Sequence, residues 1–322
     1  MFQLAENRQE TGKELRSCVV ETLQELMRED DKVTALEADL GGASGFTKIK
    51  ETNPNRFIQC GIAEANMIGV AAGLSVTGYK PFVHTFAPFA TRRVFDQLFL
   101  SGAYAGNTIN IYGSDPGFSV ASNGGTHTSW EDVALMREIP GAVVCDPADD
   151  VQMEWIIKEF SKIEGIHYVR ANRKAVRNVY QKGSEFEIGK GNILKQGDDI
   201  LIIAAGQLVS EALDCAEALE KEDISTEVID MFTIKPLDEE LVKKCAEETG
   251  AIVTAENHSV YGGLGSAVAE YLGENDPTVV ERIGVRDEFG EVGSEEYLRG
   301  RFGFIPEKIA KRVKEAIAKK KA

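Results

Sequence analysis

The sequence predicts an α/β protein of two consecutive domains with mainly parallel sheets. Three observations predict it. Short β-branched, apolar runs alternate with amphipathic stretches along the whole chain, the pattern of repeated strand–helix–strand units. One polar, glycine-containing stretch, QKGSEFEIGKGN at 181–192, interrupts that alternation and marks a domain boundary. The 322 residues, 43% of them hydrophobic, are enough for two cores of ordinary size. The domains are expected over 1–185 and 193–322.

The elements follow in order. A helix is predicted over 12–28, because Leu15, Val19, Leu23 and Leu26 recur at spacings of three and four and form one buried stripe. Strands are predicted at VTALEAD (33–39), FIQCG (57–61), PFVHTF (81–86), TINIYG (108–113), AVVCDP (142–147) and GIHYVRA (165–171), with helices over 64–77, 88–100 and 149–162 between them. Beyond the boundary come DILIIAAG (199–206), a helix to about 220, TEVIDM (226–231), a helix to about 249, AIVTAEN (251–257), a helix to about 272, and TVVERIGV (278–285). Gly206 and Gly250 stand at strand–helix and helix–strand joints, where glycine is favoured. The closing helix is expected over 306–319, with Pro306 in its first turn.

Composition excludes several classes. No apolar run approaches the roughly 20 residues that span a bilayer. The start, MFQLAENRQETGKELR, lacks the apolar core of a secretory leader. A net charge of −16 argues against a general nucleic-acid binder. The basic end, KEAIAKKKA, reads as a solvated helix terminus. The five cysteines are widely spaced and form no CxxC pair. That pattern fits a reducing, cytoplasmic compartment. The segment AENHSVYGGLG does not fit a strand–GxGxxG–helix fingerprint, so no dinucleotide site is expected.

The most informative segment is GIAEANMIGVAAGLSVTGYKPFVHTFAPFATRRVFDQL, beginning at Gly61. A strand ends there and a helix of small residues begins at Glu64. Ala63, Gly69, Ala71, Ala72 and Gly73 permit close approach by a helix or a ligand. A first-turn carboxylate can simply complement the helix dipole. However, the segment closely resembles the pyrimidine-binding domain of thiamine-diphosphate enzymes of the transketolase superfamily. The second half, including AENHSVYGGLGSAVAEYL, is similar to that family's C-terminal domain.

The resemblance implies roles for particular residues. Glu64 matches the glutamate that hydrogen-bonds the cofactor's aminopyrimidine and lets the cofactor's own amino group act as base. Phe89 matches the aromatic ring stacked on the pyrimidine, and Phe86, three residues before it, is the second candidate. Arg92 and Arg93 could serve the cofactor or an interface, or be solvated as adjacent arginines more often are, and neither is assigned a role. In the loop GSDPGFSVASNGGTHTSWED, His127 matches a substrate-contacting histidine suited to sugar hydroxyls and proton relay. Arg16 and Arg173 match phosphate-binding arginines, with Ser44 as a looser third contact. Two residues depart from the family. Asp115 stands where a phosphate-contacting histidine is usual, and an aspartate repels a phosphate dianion. Asn123 stands where an aspartate recognises the donor's hydroxyl, and its amide can both accept and donate. These departures leave the donor sugar open, a sulfonated or otherwise modified ketose included.

The cofactor implied is thiamine diphosphate. Its diphosphate needs Mg²⁺ or Ca²⁺ held by hard oxygen ligands, and the family supplies these from a GDG motif in a separate N-terminal domain. No GDG occurs in this chain, so no metal ligand is assigned here. The expected partner is an N-terminal subunit carrying that motif, in an α₂β₂ assembly in which this chain also meets its own copy. The start at Met1 reads as that of a separately encoded subunit. The implied reaction is transfer of a two-carbon ketol unit from a ketose, expected to be phosphorylated, to an aldose, as in pentose phosphate metabolism. The alternatives are the β subunit of a 2-oxoacid dehydrogenase and a fragment like 1-deoxyxylulose-5-phosphate synthase. TFAPF and the GGTH loop favour the transketolase type. A silent scaffold subunit is the non-enzymatic reading, and intact Glu64 and Phe89 speak against it. His258 is expected to be structural. Tyr261, Gly262, Gly263 and Gly265 are expected to shape a loop against neighbouring subunits.

Overall fold

The computed structural model describes residues 1–320. Seven strands form the first sheet, in the order Thr233–Lys235, Val143–Cys145, Ile166–Ala171, Ile109–Ser114, Lys80–Phe86, Val33–Glu37, Phe57–Gln59. All neighbours are parallel except Thr233–Lys235, which runs antiparallel to Val143–Cys145. The central strands are buried along their full length, as expected where helices cover both faces of a parallel sheet. The second sheet has the order Val279–Val285, Ala251–Ser259, Ile200–Ala204, Thr226–Asp230, Asn192–Lys195. Only its last strand is antiparallel. Two successive α/β units with mainly parallel sheets are therefore present. No helix among the described residues is long and apolar enough to cross a membrane.

Four short strands escape the periodicity: Thr11–Glu14, paired with Ala175–Arg177, then Asn192–Lys195, and Thr233–Lys235. At three or four residues each, they are too short for an alternating pattern to register. Thr233–Lys235 lies beyond the polar stretch in sequence yet closes the edge of the first sheet. Helix Glu295–Phe302, capped by Ser294, also lies outside the expected elements.

The helix expected over 88–100 is broken. A short turn of helix, Ala87–Ala90, stops at Thr91, whose hydroxyl donates to the Ala87 carbonyl at 2.8 Å. This back-bonding competes with helix continuation. The chain turns through 91–94 and resumes as Phe95–Gln97, followed by a π-helical stretch, Leu98–Tyr104. π-helical turns of this kind recur at functional sites.

The two units share a buried ion cluster. Arg170 Nε donates to Asp132 Oδ2 at 2.6 Å, Nη1 to Asp146 Oδ2 at 2.7 Å, and Nη2 to the Asn257 carbonyl at 2.9 Å. The Arg170 side chain is 1% exposed. Removing a guanidinium from such a cluster would strand two carboxylates without water. His258 is buried here, 4.0 Å from Asp132, and burial pushes its pKa down to about 4. The Gly262 carbonyl accepts from Arg137 at 2.7 Å. The glycine loop expected to face neighbouring subunits thus packs on the chain's own first unit, and Tyr261 alone projects, 59% exposed.

Candidate active site

Apart from Arg16, the residues singled out above lie at or just after the carboxyl ends of the parallel strands, the usual place for ligands in α/β sheets. Phe86, Ser114 and Ala171 are paired in register on three adjacent strands. That register sets Phe86 beside the residues that follow, Asp115 and Arg173. After strand Phe57–Gln59, Gly61 turns the chain with φ of 71°, a left-handed conformation that glycine adopts without strain. The turn places Glu64 at the first position of helix Glu64–Val76.

Glu64 is 4% exposed. Its Oε1 accepts from Arg93 Nη1 at 2.6 Å. The same guanidinium lies over the Phe89 ring, 3.8 Å from its centroid. A flat, N–H-bearing cation thus sits on the carboxylate and on the aromatic face together. A flat heterocycle needs the same two contacts, so these side chains fit an aminopyrimidine. Arg93 owes its place to the turn that breaks the expected helix. Arg92 turns away to Glu131, at 2.8 Å. Sequence reading missed Arg93, because two adjacent arginines carry no signal of which one faces inward.

Phe86, Phe89 and His127 form one aromatic cluster, with centroids 5.2–6.2 Å apart and edge-to-face angles. Of the four histidines, His84, His167 and His258 are buried. His127 alone is partly exposed. Its Nδ1 is 2.9 Å from the Thr126 hydroxyl, and no hydrogen bond engages Nε2 among the described residues. His84, on the strand below, hydrogen-bonds the Ser114 hydroxyl at 2.9 Å, and burial pushes its pKa down to about 3, so it is a neutral core residue.

Beyond Phe86 the surface becomes charged. Arg173 lies over that ring at 5.0 Å. Its Nε donates to Asp115 Oδ2 at 2.5 Å, and its backbone N–H donates to Asp115 Oδ1 at 3.0 Å. Burial raises the Asp115 pKa, and Arg173 opposes that rise. Arg16 lies alongside, its backbone N–H donating to the Arg173 carbonyl at 3.2 Å. Its side chain is held by Glu14, at 2.9 Å from Nε, and reaches the Ala43 carbonyl at 3.4 Å.

Seven of the nine residues picked from the sequence therefore make one continuous surface: Glu64, Phe89, His127, Phe86, Arg173, Asp115 and Arg16. The other two do not join it. The Ser44 hydroxyl stays within its own turn, donating to the Leu40 or Gly41 carbonyl and accepting from Phe46 N–H at 3.0 Å. Asn123 is exposed and makes no side-chain hydrogen bond among the described residues. The loop carrying it starts at Gly117, with φ of 57°, where a Cβ would lie 2.0 Å from Asn257 Oδ1.

Known proteins are similar to this chain along nearly its whole length. Residues 12–179 match the family described as the transketolase pyrimidine binding domain, and 189–309 match the transketolase C-terminal domain. The chain is 47% identical over 306 residues to the 6-deoxy-6-sulfo-D-fructose transketolase subunit SqwH of Clostridium sp. (strain MSTE9), covering 95% of each. It is 37% identical to an apulose-4-phosphate transketolase subunit of Phocaeicola vulgatus, over 94% of this chain and 97% of that one. A solved split-gene transketolase, an inactive β4 tetramer, superposes with a TM-score of 0.87 at 39% identity, over 95% of this chain and 99% of that one. The chain thus belongs to the transketolase family, as a split-type subunit with pyrimidine-binding and C-terminal domains, and it is a transferase of transketolase type.

Proposed function

We propose that this chain is the half of a thiamine-diphosphate transketolase that engages the cofactor's pyrimidine and grips the donor sugar. The pyrimidine-binding domain would span 1–185 and the C-terminal domain 193–322. When bound, the cofactor supplies an electron sink for cleaving the bond beside a ketose carbonyl. Everything else assigned here is done by this chain's own side chains. Glu64 holds a proton at the pyrimidine nitrogen through Oε1, once Arg93 has moved aside. Phe89 carries the ring's face. His127 is free at one nitrogen to exchange a proton with a sugar hydroxyl. Arg173 and Arg16 bind an anion at the far end of the donor. Ser44 and Asn123 are kept out of this assignment.

One observation carries the reading: a flat N–H donor already bridges Glu64 and Phe89 in the chain by itself. The family match supports it. Relatives named as subunits and a solved split-gene relative support a companion chain. That chain would carry the GDG motif, bind Mg²⁺ or Ca²⁺ and the diphosphate, and complete an α₂β₂ assembly. Exposed Ile62, Gly69, Gly73 and Val76 on helix Glu64–Val76 and the residues just before it offer a close-approach surface for a copy of this chain. Five free cysteines are compatible with work in the cytoplasm.

Calorimetry tests the division of labour. Thiamine diphosphate with Mg²⁺ should bind the purified chain weakly and the reconstituted pair tightly, and only the pair should transfer ketol units. Micromolar binding by the chain alone would contradict the division. Pyruvate decarboxylation in place of ketol transfer would favour the 2-oxoacid dehydrogenase reading.

A further inference from the structure

The anion end of this surface is neutral before any ligand arrives. Two guanidiniums, Arg16 and Arg173, meet two carboxylates, Glu14 and Asp115, and the neighbouring Lys174 is balanced by Glu295 at 3.8 Å. The carboxylates are not equivalent. The Glu14 side chain is 44% exposed and can swing into water when an anion takes its place. Asp115 cannot. The residue is 2% exposed, both its oxygens accept from Arg173, and its own N–H donates to the Ala171 carbonyl at 3.0 Å. Its backbone stands at φ of 51°, in the left-handed region where aspartate and asparagine are the commonest non-glycine residues. The pairing leaves both Nη groups of Arg173 without a hydrogen bond to any described residue. An anion bound there therefore sits one guanidinium away from a fixed negative charge.

That geometry discriminates by charge. A phosphate monoester carries about −1.5 to −2 near neutral pH, with a second pKa near 6. A sulfonate offers the same three tetrahedral oxygens with a single charge. The repulsion from a fixed carboxylate grows with the ligand's charge. The cost falls on the dianion even though both head groups fill the same donors.

Resting on the ketol-transfer reading above, we propose that Asp115 is a specificity-determining residue that sets this end for a singly charged head group, so that a ketose ending in a sulfonate is preferred over one ending in a phosphate. A carboxylate held permanently against the anion-binding arginine is the feature that carries it.

The test uses the reconstituted complex with thiamine diphosphate, Mg²⁺ and three donors: 6-deoxy-6-sulfofructose, fructose 6-phosphate and erythrulose, which has no terminal anion. The wild type should favour the sulfonate over the phosphate in kcat/KM by about tenfold or more. Asp115→Asn suits the left-handed backbone and removes the charge. It should shrink that preference about tenfold, mainly by lowering KM for the phosphate donor. Lowering the pH from about 8 to about 6 converts about half of the phosphate ester to its monoanion and should narrow the wild-type gap without a matching change in Asp115→Asn. A wild type that prefers the phosphate, or a preference left intact by Asp115→Asn, overturns the proposal. If Asp115→Asn fails to assemble, the wild-type pH series decides alone, and a gap that does not narrow overturns it. Erythrulose separates the two levels. Absence of transfer from all three donors sinks the ketol-transfer reading itself. Transfer from erythrulose with no charge preference between the two hexoses sinks only the role of Asp115.

Discussion

The two ends of the site are built alike and behave differently. At the end proposed for the pyrimidine, Glu64 meets Arg93 over Phe89. At the end proposed for the anion, Asp115 meets Arg173 over Phe86. In each pair a buried carboxylate faces a guanidinium lying on an aromatic ring. The difference is how the guanidinium is held. Arg93 is 45% exposed and touches Glu64 through one hydrogen bond. Arg173 is 25% exposed, and its partner also accepts its backbone N–H. The first pair can be exchanged for another flat N–H donor, because the half-exposed Arg93 can swing into water while the buried Glu64 takes the newcomer's hydrogen bond. The second cannot open without stranding a buried carboxylate. The same chemical motif is thus loosely held at Glu64 and locked at Asp115. Arg170, fully buried with Asp132 and Asp146, marks the far limit, where such a pairing is purely architectural.

Glu64→Gln in the assembled enzyme should lower kcat for ketol transfer about 10²–10⁴-fold, the usual span for losing a proton-handling group, with circular dichroism and subunit assembly preserved. A near-normal rate would remove Glu64 from its role. Next, Arg170→Ala should destabilise the chain by about 3–5 kcal/mol, read as a lower urea midpoint. A small shift would mean that water reaches this cluster.

The two ends are then separated directly. Arg173→Ala should raise KM for an anionic donor about ten- to a hundredfold, the worth of about 1.5–3 kcal/mol for a hydrogen bond to a charged group. Arg93→Ala should change thiamine diphosphate affinity by no more than about fivefold, in the direction of tighter binding, because a half-exposed guanidinium no longer has to be displaced from Glu64. Calorimetry on the complex checks the second value. Effects of equal size at the two ends would erase the distinction drawn here.

The smallest expected effect lies outside the site. Burial pushes the Asp230 carboxyl up to about 7. Its Oδ2 accepts from Tyr180 at 2.5 Å and Gln152 at 2.7 Å, while Oδ1 has no partner among the described residues. Asp149 lies close enough to push the same way. A carboxyl whose pKa rises on folding keeps its proton better in the native state than in the unfolded chain. Its stabilising contribution is full below about pH 4 and is lost as pH rises towards about 7. Asp230→Asn should flatten that part of a melting-temperature profile by a few degrees, and an unchanged slope would assign the pH dependence to other groups.

Much of this was legible in the sequence. The hydrophobic runs located ten strands to within a few residues, because a buried parallel strand is apolar on both faces. The strand–glycine–helix pattern before Glu64 fixed that residue's place at a helix start. His127 stood out through its loop, whereas His84 and His167 lie inside strand-like runs. What escaped was set by partners distant in sequence. Arg93 looked like its neighbour Arg92 until a broken helix turned one inward and the other outward. Ser44 had the right residue type, but its hydroxyl is engaged by its own turn.

The two α/β units, the family and the candidate site residues were legible without any knowledge of packing. Those properties rest on local periodicity and on short motifs, which the chain carries wherever it is folded. Only the tertiary structure decided which charges are paired, and how firmly. Burial and the number of hydrogen bonds holding each carboxylate depend on strands brought side by side from far along the chain, and the difference between a movable Glu64–Arg93 pair and a locked Asp115–Arg173 pair exists only after that packing.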